Sequence, residues 1–416
     1  MKKTCMLEKI KQTSLLRKEP SWLIDLRLQA LARLLESDFF QKEEMDFFDK
    51  VSDAPVLKEA NPSPRIMQLG TRNLYEQLPV ELFNQGVIFT NFLDSVKTHE
   101  KLVKDYWQAK SELFGDNPKL AELVAFVNSG AFLYVPKNVE ITLPMEYFWV
   151  KPENSEIPIY VSILILVEEG GRVNYAERLQ STEKSGNLPI SLHFFSEVIA
   201  KKEAKVNFWA NETLNQQVKA HIWRFGKLHQ DAQVNWQINA LNNGDTDLKV
   251  KVDLVEKGAC ATVKIAGISS GQQEQKIKTQ VRNCARHSEG KIVQHGVVLD
   301  EGKLLFEGVG EIQKGAKGAV SKQESRMLML SDKAQAKVDP ILLIDEDEVT
   351  AGHAASIACT DEKAMYYLMS RGIERKQAVH LLIRGFLDLG RPSFFESEWA
   401  EVLEGKVKCL DSILTK

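Results

Sequence analysis

His353 is the residue in this chain best placed to hold a metal, set in the run Ala351-Gly352-His353-Ala354-Ala355-Ser356. A neutral imidazole is a common metal ligand, and small neighbours let a second surface come close to it. Just upstream is the acidic run Asp345-Glu346-Asp347-Glu348, suited either to a solvated turn or to a charged rim facing a partner. The five cysteines (Cys5, Cys260, Cys284, Cys359, Cys409) are scattered, with no C-x-x-C pair. Structural zinc sites and four-cysteine clusters draw on closely spaced thiolates, so the chain encodes no self-sufficient site of that kind. Each cysteine is expected to be a free thiol packed as a small apolar group. Any metal chemistry has to be shared with another chain.

Two enzyme motifs need weighing. Gly267-Ile268-Ser269-Ser270-Gly271 matches the Gly-x-Ser-x-Gly nucleophile elbow, which works only on a sharp strand-to-helix turn with an acid and a histidine downstream. The strand Val263-Lys264-Ile265 and the downstream histidines permit a serine esterase using Ser269, the alternative reading. A tight corner between repeated strands explains both glycines equally well. Gly310 to Gly315 approaches a phosphate-binding loop, but Ala316 follows and the lysine is displaced to position 317, so that reading fails. His287 and His295 fall on alternating polar strands, where imidazoles are usually exposed or hydrogen-bonded.

The elements that must position these residues fall into three blocks. Residues up to about Val127 read as helical, beginning with an amphipathic run from Pro20 in which Leu23, Leu26, Leu28, Leu31, Leu34 and Leu35 share a broad face. A polar stretch from Phe39 to Pro64, with three prolines, reads as a loop, and Leu93–Phe114 and Leu120–Val127 as helices. From Phe132 the texture changes to short alternating strands. Gly171-Arg172-Val173, Ala204-Lys205-Val206, Ala232-Gln233-Val234 and Ala261-Thr262-Val263 recur at about 30 residues, within the range of repeat architectures. Later rungs are expected at Lys291–His295 and Lys337–Asp339. Hairpin signals are nearly absent, with only Asn243-Gly244 and the weaker Gly170-Gly171, which favours a solenoid of parallel strands over a sandwich.

Beyond Cys359 the pattern is helical. One helix, Asp361–Ser370, closes at Gly372, and a second, Glu374–Leu387, carries Ala378, Leu381, Leu382 and Gly385 on its inner face. Ser393 with Glu396 has capping-box spacing for a third. In the first helix Met365, Leu368 and Met369 are expected to pack inward, leaving Tyr366, Tyr367 and Arg371 for a partner. Tyrosine and arginine are enriched at binding hot spots.

Composition sets the outer bounds. The 416 residues, 44% hydrophobic and 27% charged, are those of an ordinary globular protein of two or three domains. A formal charge of −3 gives no reason to expect nucleic acid as a partner. No apolar run reaches spanning length, and charged residues follow the basic N-terminus where a signal peptide would need an apolar core, so the expectation is a cytoplasmic protein without membrane contact. That also argues against a secreted solenoid adhesin.

Ser331-Asp332-Lys333-Ala334, Asp339-Pro340, the acidic run before Val349, His353-Ala354 and Ser370-Arg371-Gly372 follow in the order seen in the SufB/SufD family of iron–sulfur cluster assembly scaffolds. Gly86-Val87-Ile88-Phe89-Thr90 and the run from Gly130 to Pro136 resemble that family as well. The resemblance implies a right-handed parallel β-helix flanked by helical domains, divided as 1–127, 128–358 and 359–416. It implies a non-catalytic scaffold that pairs, through the end of its β-helix, with a SufB-like paralogue or with a second copy of itself. It also implies that the helices from Asp361 to about Leu389, with Tyr366, Tyr367, Arg371 and Gly372, bind a SufC-like ABC-type ATPase. A transient iron–sulfur cluster would then form at the paralogue interface, beside His353. Many SufD chains carry a cysteine two residues before this histidine, where Ala351 stands here, and the family's Leu-Glu-Ile strand reads Leu342-Leu343-Ile344. The resemblance is therefore to SufD rather than SufB. Thiolates are expected from the paralogue, and no cluster is expected to stay on this chain alone.

Overall fold

The computed structural model describes residues 2–36, 63–110, 118–153, 157–181, 188–359, 362–390 and 396–408. Nearly all of the loop expected from Phe39 to Pro64 lies outside these residues, as do Ser393 of the expected capping box and Cys409.

Strand follows strand with alternating burial, and each strand hydrogen-bonds in parallel to the one two places along the chain. One sheet stacks β5 (Glu140–Val150), β7 (Arg172–Gln180), β9 (Lys205–Thr213), β11 (Gln233–Ala240), β13 (Cys260–Ser269), β15 (Glu289–Val298), β17 (Val320–Met329) and β19 (Thr350–Ala358). The other stacks β4 (Ser129–Val135), β6 (Ile159–Val167), β8 (Ile190–Ala200), β10 (Val218–Leu228), β12 (Thr246–Leu254), β14 (Glu274–Asn283), β16 (Lys303–Ile312) and β18 (Gln335–Ile344). This is a parallel β-solenoid with two strands per turn. β12 shows the rule: Thr246, Leu248, Val250, Val252 and Leu254 are buried and the residues between them are not. Val173, Val206 and Val234 stack in register, as the repeat requires. Val234 then pairs with Ala261, so the expected fourth member, Val263, sits two residues out of place.

The corners account for the missing hairpin signals. Asn138, Gly170, Glu203, Asp231, Gly258, His287 and Gly318 each hold a left-handed backbone, with φ between 56° and 74°. Each N–H donates to a carbonyl in the next turn: Asn138 to Glu169, Gly170 to Lys202, and so on to Gly318 and Glu348. One corner is thus repeated along the solenoid and its backbone groups pair between turns. Asn243-Gly244 is also a corner, joining strands of different sheets. A side chain at Gly244 would meet the Val218 carbonyl oxygen at 2.1 Å, so successive turns leave room only for glycine there.

Three large apolar clusters hold the described residues together, with a small fourth of Ile312, Ala316 and Ala319. The lumen is filled by residues such as Ile163, Tyr175, Phe208, Trp236 and Phe306. On the outer face of the β4–β18 sheet, Tyr160, Leu164, Leu166, Phe195 and Trp223 pack with residues of helices α1 (Lys2–Leu16), α2 (Ser21–Glu36), α4 (Phe92–Thr98), α5 (Glu100–Gln108) and α6 (Pro118–Phe126). β6 is therefore covered on both faces, which explains its unbroken apolar sequence. Fully buried Arg27 ties α2 to α6: its guanidinium pairs with Glu19 at 2.8 Å and donates to the Ala125 and Val127 carbonyls at 3.0 and 2.9 Å. A cation there satisfies orphan carbonyls at the C-terminal end of α6. On the outer face of the β5–β19 sheet, Ala266, Ile268 and Val297 pack against α7 (Glu362–Ser370), α8 (Arg375–Leu387) and α9 (Glu396–Lys408).

The lumen also holds one buried charge cluster. Arg224 on β10 donates to Glu177 at 2.9 Å and to Glu212 at 2.6 Å, and all three side chains are fully buried. Burial pushes the Glu177 carboxyl up to about 7, although Arg224 pulls the other way.

The helical reading of the first 127 residues fails over much of 65–91. β1 (Arg65–Leu69) adds to β5 in parallel and turns back into antiparallel β2 (Arg72–Gln77). After the short helix α3 (Val80–Asn84), β3 (Ile88–Asn91) runs antiparallel to β4. These strands are too short, at four to six residues, to stand out in a helix-rich stretch. Likewise α8 buries Ala378, Val379, Ile383 and Leu387, while Leu381 is 49% exposed, so its inner face is rotated from the expected one.

Candidate functional site

Among the described residues, the solenoid has no cap at its C-terminal end. β18 and β19 are the outermost strands of their sheets, each paired on one side only, and all nine residues of β19 are exposed. A strand edge in that state offers a row of unpaired N–H and C=O groups. Apolar side chains accompany it: Ile341, Leu343, Ile344 and Ile357 are each between 37% and 48% exposed. The sequence shows these residues as a strand; their exposure comes from their place in the last turn, where no further repeat covers them.

His353 lies within β19, not in a loop, and pairs in register with Gln323 of β17. Ala351, His353, Ala355 and Ile357 continue the rows of Ser321, Gln323, Ser325 and Met327, all of which are buried inside the solenoid. His353 therefore belongs to the lumen-facing row at the mouth of the solenoid. Position 351 shares that row because side chains alternate with period two. The alanines on either side leave the imidazole as the only metal-binding group of that row in β19. Gly352 has open space where a side chain would project.

The acidic run forms the last corner. Gly315 N–H donates to Glu346 at 2.9 Å, and Lys317 Nζ donates to Glu348 at 2.7 Å. The Gly315 N–H is the main cause that holds the Glu346 carboxyl below its usual range. Cys359, just past β19, and Cys5 are exposed, against the expectation of buried thiols. Cys260 and Cys284 are half-buried, and burial pushes both thiols up, away from reactivity.

The C-terminal helices follow β19 in the chain and pack back onto β13 and β15. Tyr366 and Tyr367 are 78% and 57% exposed, and the Arg371 guanidinium lies 5.2 Å from the centre of the Tyr367 ring. Gly372 closes α7 with φ 84°: its N–H donates to Met369 O and that of Ile373 to Leu368 O, a Schellman motif that favours glycine. Met365 is buried as expected, but Met369 is 43% exposed and joins the tyrosines at the surface.

Ser269 is fully buried at the end of β13, and its hydroxyl donates to Gln273 O at 2.9 Å. A strand, β14, comes next in place of the helix that a nucleophile elbow needs, so the esterase reading has no support. His287 is one of the left-handed corner residues rather than a strand residue.

A helix-flanked parallel solenoid whose last described turn leaves its strand edges unpaired is a repeat protein with an open end. Residues 151–386 match the family described as SUF system FeS cluster assembly, SufBD core domain. The iron-sulfur cluster assembly protein SufD of Bacillus subtilis is 36% identical over 406 residues, covering 91% of this chain and 92% of its own. An iron-sulfur cluster assembly SufBD family protein of Staphylococcus epidermidis is 26% identical, covering 91% and 87%. One from Staphylococcus aureus is 25% identical with the same coverage. The chain belongs to the SufB/SufD family, and its likeness is to SufD. No helix among the described residues is long and apolar enough to cross a membrane.

Proposed function

We propose that this chain is a SufD-like, non-catalytic scaffold subunit of the SUF iron–sulfur cluster assembly system, acting in the cytoplasm. The observation that carries the reading is the bare terminal turn, with nine exposed residues in β19 and apolar side chains along the edge. Its occupant is a SufB-like paralogue, with pairing to a second copy as the competing outcome. The exposed Tyr366, Tyr367 and Arg371 beside Gly372 form the docking face for a SufC-like ABC-type ATPase, which supplies the nucleotide chemistry that this sequence does not encode. The cluster is cargo. This chain offers it His353, and the paralogue offers the thiolates that iron–sulfur chemistry favours.

A pull-down from the native cytoplasm with the full chain tests this, set against a chain ending before residue 361. The full chain should retain both the ATPase and the paralogue, and the shortened one only the paralogue. An active monomeric enzyme with no partner would overturn the reading. Reconstitution of the isolated chain should leave it without a stable cluster. In the complex, His353→Ala should lower cluster yield while assembly stays intact; equal yield would reduce His353 to a packing residue.

A further inference from the structure

α8 ends at Leu387, and the last carbonyls of a helix have no partner within it. Here the sheet supplies a partner for one carbonyl of the last turn and for one just past the helix. His295 Nδ1 on β15 lies 2.7 Å from Phe386 O, so that nitrogen carries the hydrogen and donates it. The Phe386 ring stacks on the same imidazole, with centres 5.0 Å apart and planes at 23°. Lys264 Nζ on β13 donates to Leu389 O at 2.9 Å. Across the ring, His295 Nε2 faces Glu324 Oε1 of β17 at 3.4 Å, and Arg326 pairs with that same oxygen at 2.8 Å. Glu324 is in register with Ala354, the neighbour of His353 in β19.

The apolar contact beneath α8, formed by Ala378, Val379, Ile383 and Leu387 against Ala266, Ile268 and Val297, is non-directional. Small displacements along it cost little. Hydrogen bonds to backbone carbonyls are directional and fix a position. We infer that His295 and Lys264 form a clasp on the C-terminal end of α8, with His295 as the positioning residue that sets where the C-terminal helices sit on the solenoid. His295 links the helix to β15, which pairs directly with β17, the strand that carries the bare β19. On the proposed function, the clasp is where a displacement of the helices by a bound ATPase enters the sheet, two strands from the partner edge.

Hydrogen exchange on the full-length isolated chain tests the clasp without any partner. His295→Leu should speed exchange of the 375–387 amides by about ten-fold, the scale of one lost hydrogen bond, with the amides of β5–β11 unchanged. His295→Asn, whose side-chain N–H starts from the place of Nδ1, should recover most of the protection, and adding Lys264→Met to His295→Leu should speed exchange further. Wild-type protection in His295→Leu would overturn the clasp, and so would equal loss in the leucine and asparagine variants. Should the double variant fail to fold, the comparison of the two single variants still decides. A failed ATPase pull-down with these exchange results intact would sink the functional reading and leave the clasp standing.

Discussion

The two ends of the solenoid are built on opposite principles. At the N-terminal end each sheet finishes in an antiparallel strand, β2 in one and β3 in the other, and helices cover the outer face of β4–β10. A reversed strand cannot template another parallel turn, so the repeat is stopped. At the C-terminal end β18 and β19 keep the parallel direction and the regular register, and no described strand pairs with their outer edges. Solenoids need caps for solubility, and natural sheets blunt their edges. On the proposed function, the regular apolar end is the one that takes a partner, so the closed half serves stability and the open half assembly.

The largest effect should come from breaking the closed half. Arg224→Leu strips the guanidinium that pairs with both buried carboxylates, Glu177 and Glu212. Removing one partner of a buried ionic cluster costs about 3–5 kcal/mol, so the variant should melt well below wild type in a thermal scan. An unchanged melt would show that the lumen does not depend on this cluster. The next effect belongs to the open half. Leu343→Asp with Ile357→Asp places charges where side chains are now 48% and 47% exposed. Partner affinity measured by titration should fall about a hundred-fold, near 3 kcal/mol, while the urea midpoint stays put. Wild-type affinity would mean that the bare turn is not the interface.

The smallest effect concerns pH. Native Glu177 holds its proton up to about pH 7, whereas an unfolded glutamate releases it near 4.5. The native state therefore binds more protons between those values, and stability falls as pH rises through that window, then levels off. Urea titrations should show that fall, and Glu177→Gln should flatten it. An equal slope in the variant would place the titrating group elsewhere.

Much of this architecture was legible in the sequence because period-two burial leaves its mark on residue type. The rungs led by Val173, Val206 and Val234 are in register, and their spacing alone pointed to the solenoid. Register was lost at Ala261 because the corners differ in length and share no residue: only Gly170, Gly258 and Gly318 among the seven left-handed positions are glycine. Nothing in the sequence singles out Arg27 or Arg224 as buried, and the Phe386 carbonyl that holds His295 lies 91 positions away. The bare edge was legible only in part. Residues 340–344 and His353 were visible as chemistry, but exposure depends on whether another turn is stacked above. An apolar strand in the last turn has the same sequence as one in the middle.

The most direct measurement is hydrogen exchange of the β18 and β19 amides, in the chain alone and mixed with its SufB-like paralogue. The amides on the unpaired edge should exchange fast in the isolated chain. In the complex they should slow by about a hundred-fold or more, as amides do on entering a stable sheet, with β2 and β3 unchanged. Protection that arises at residues 65–91 or on the N-terminal helices, with β19 still exchanging freely, would contradict the assignment of the bare end as the partner surface.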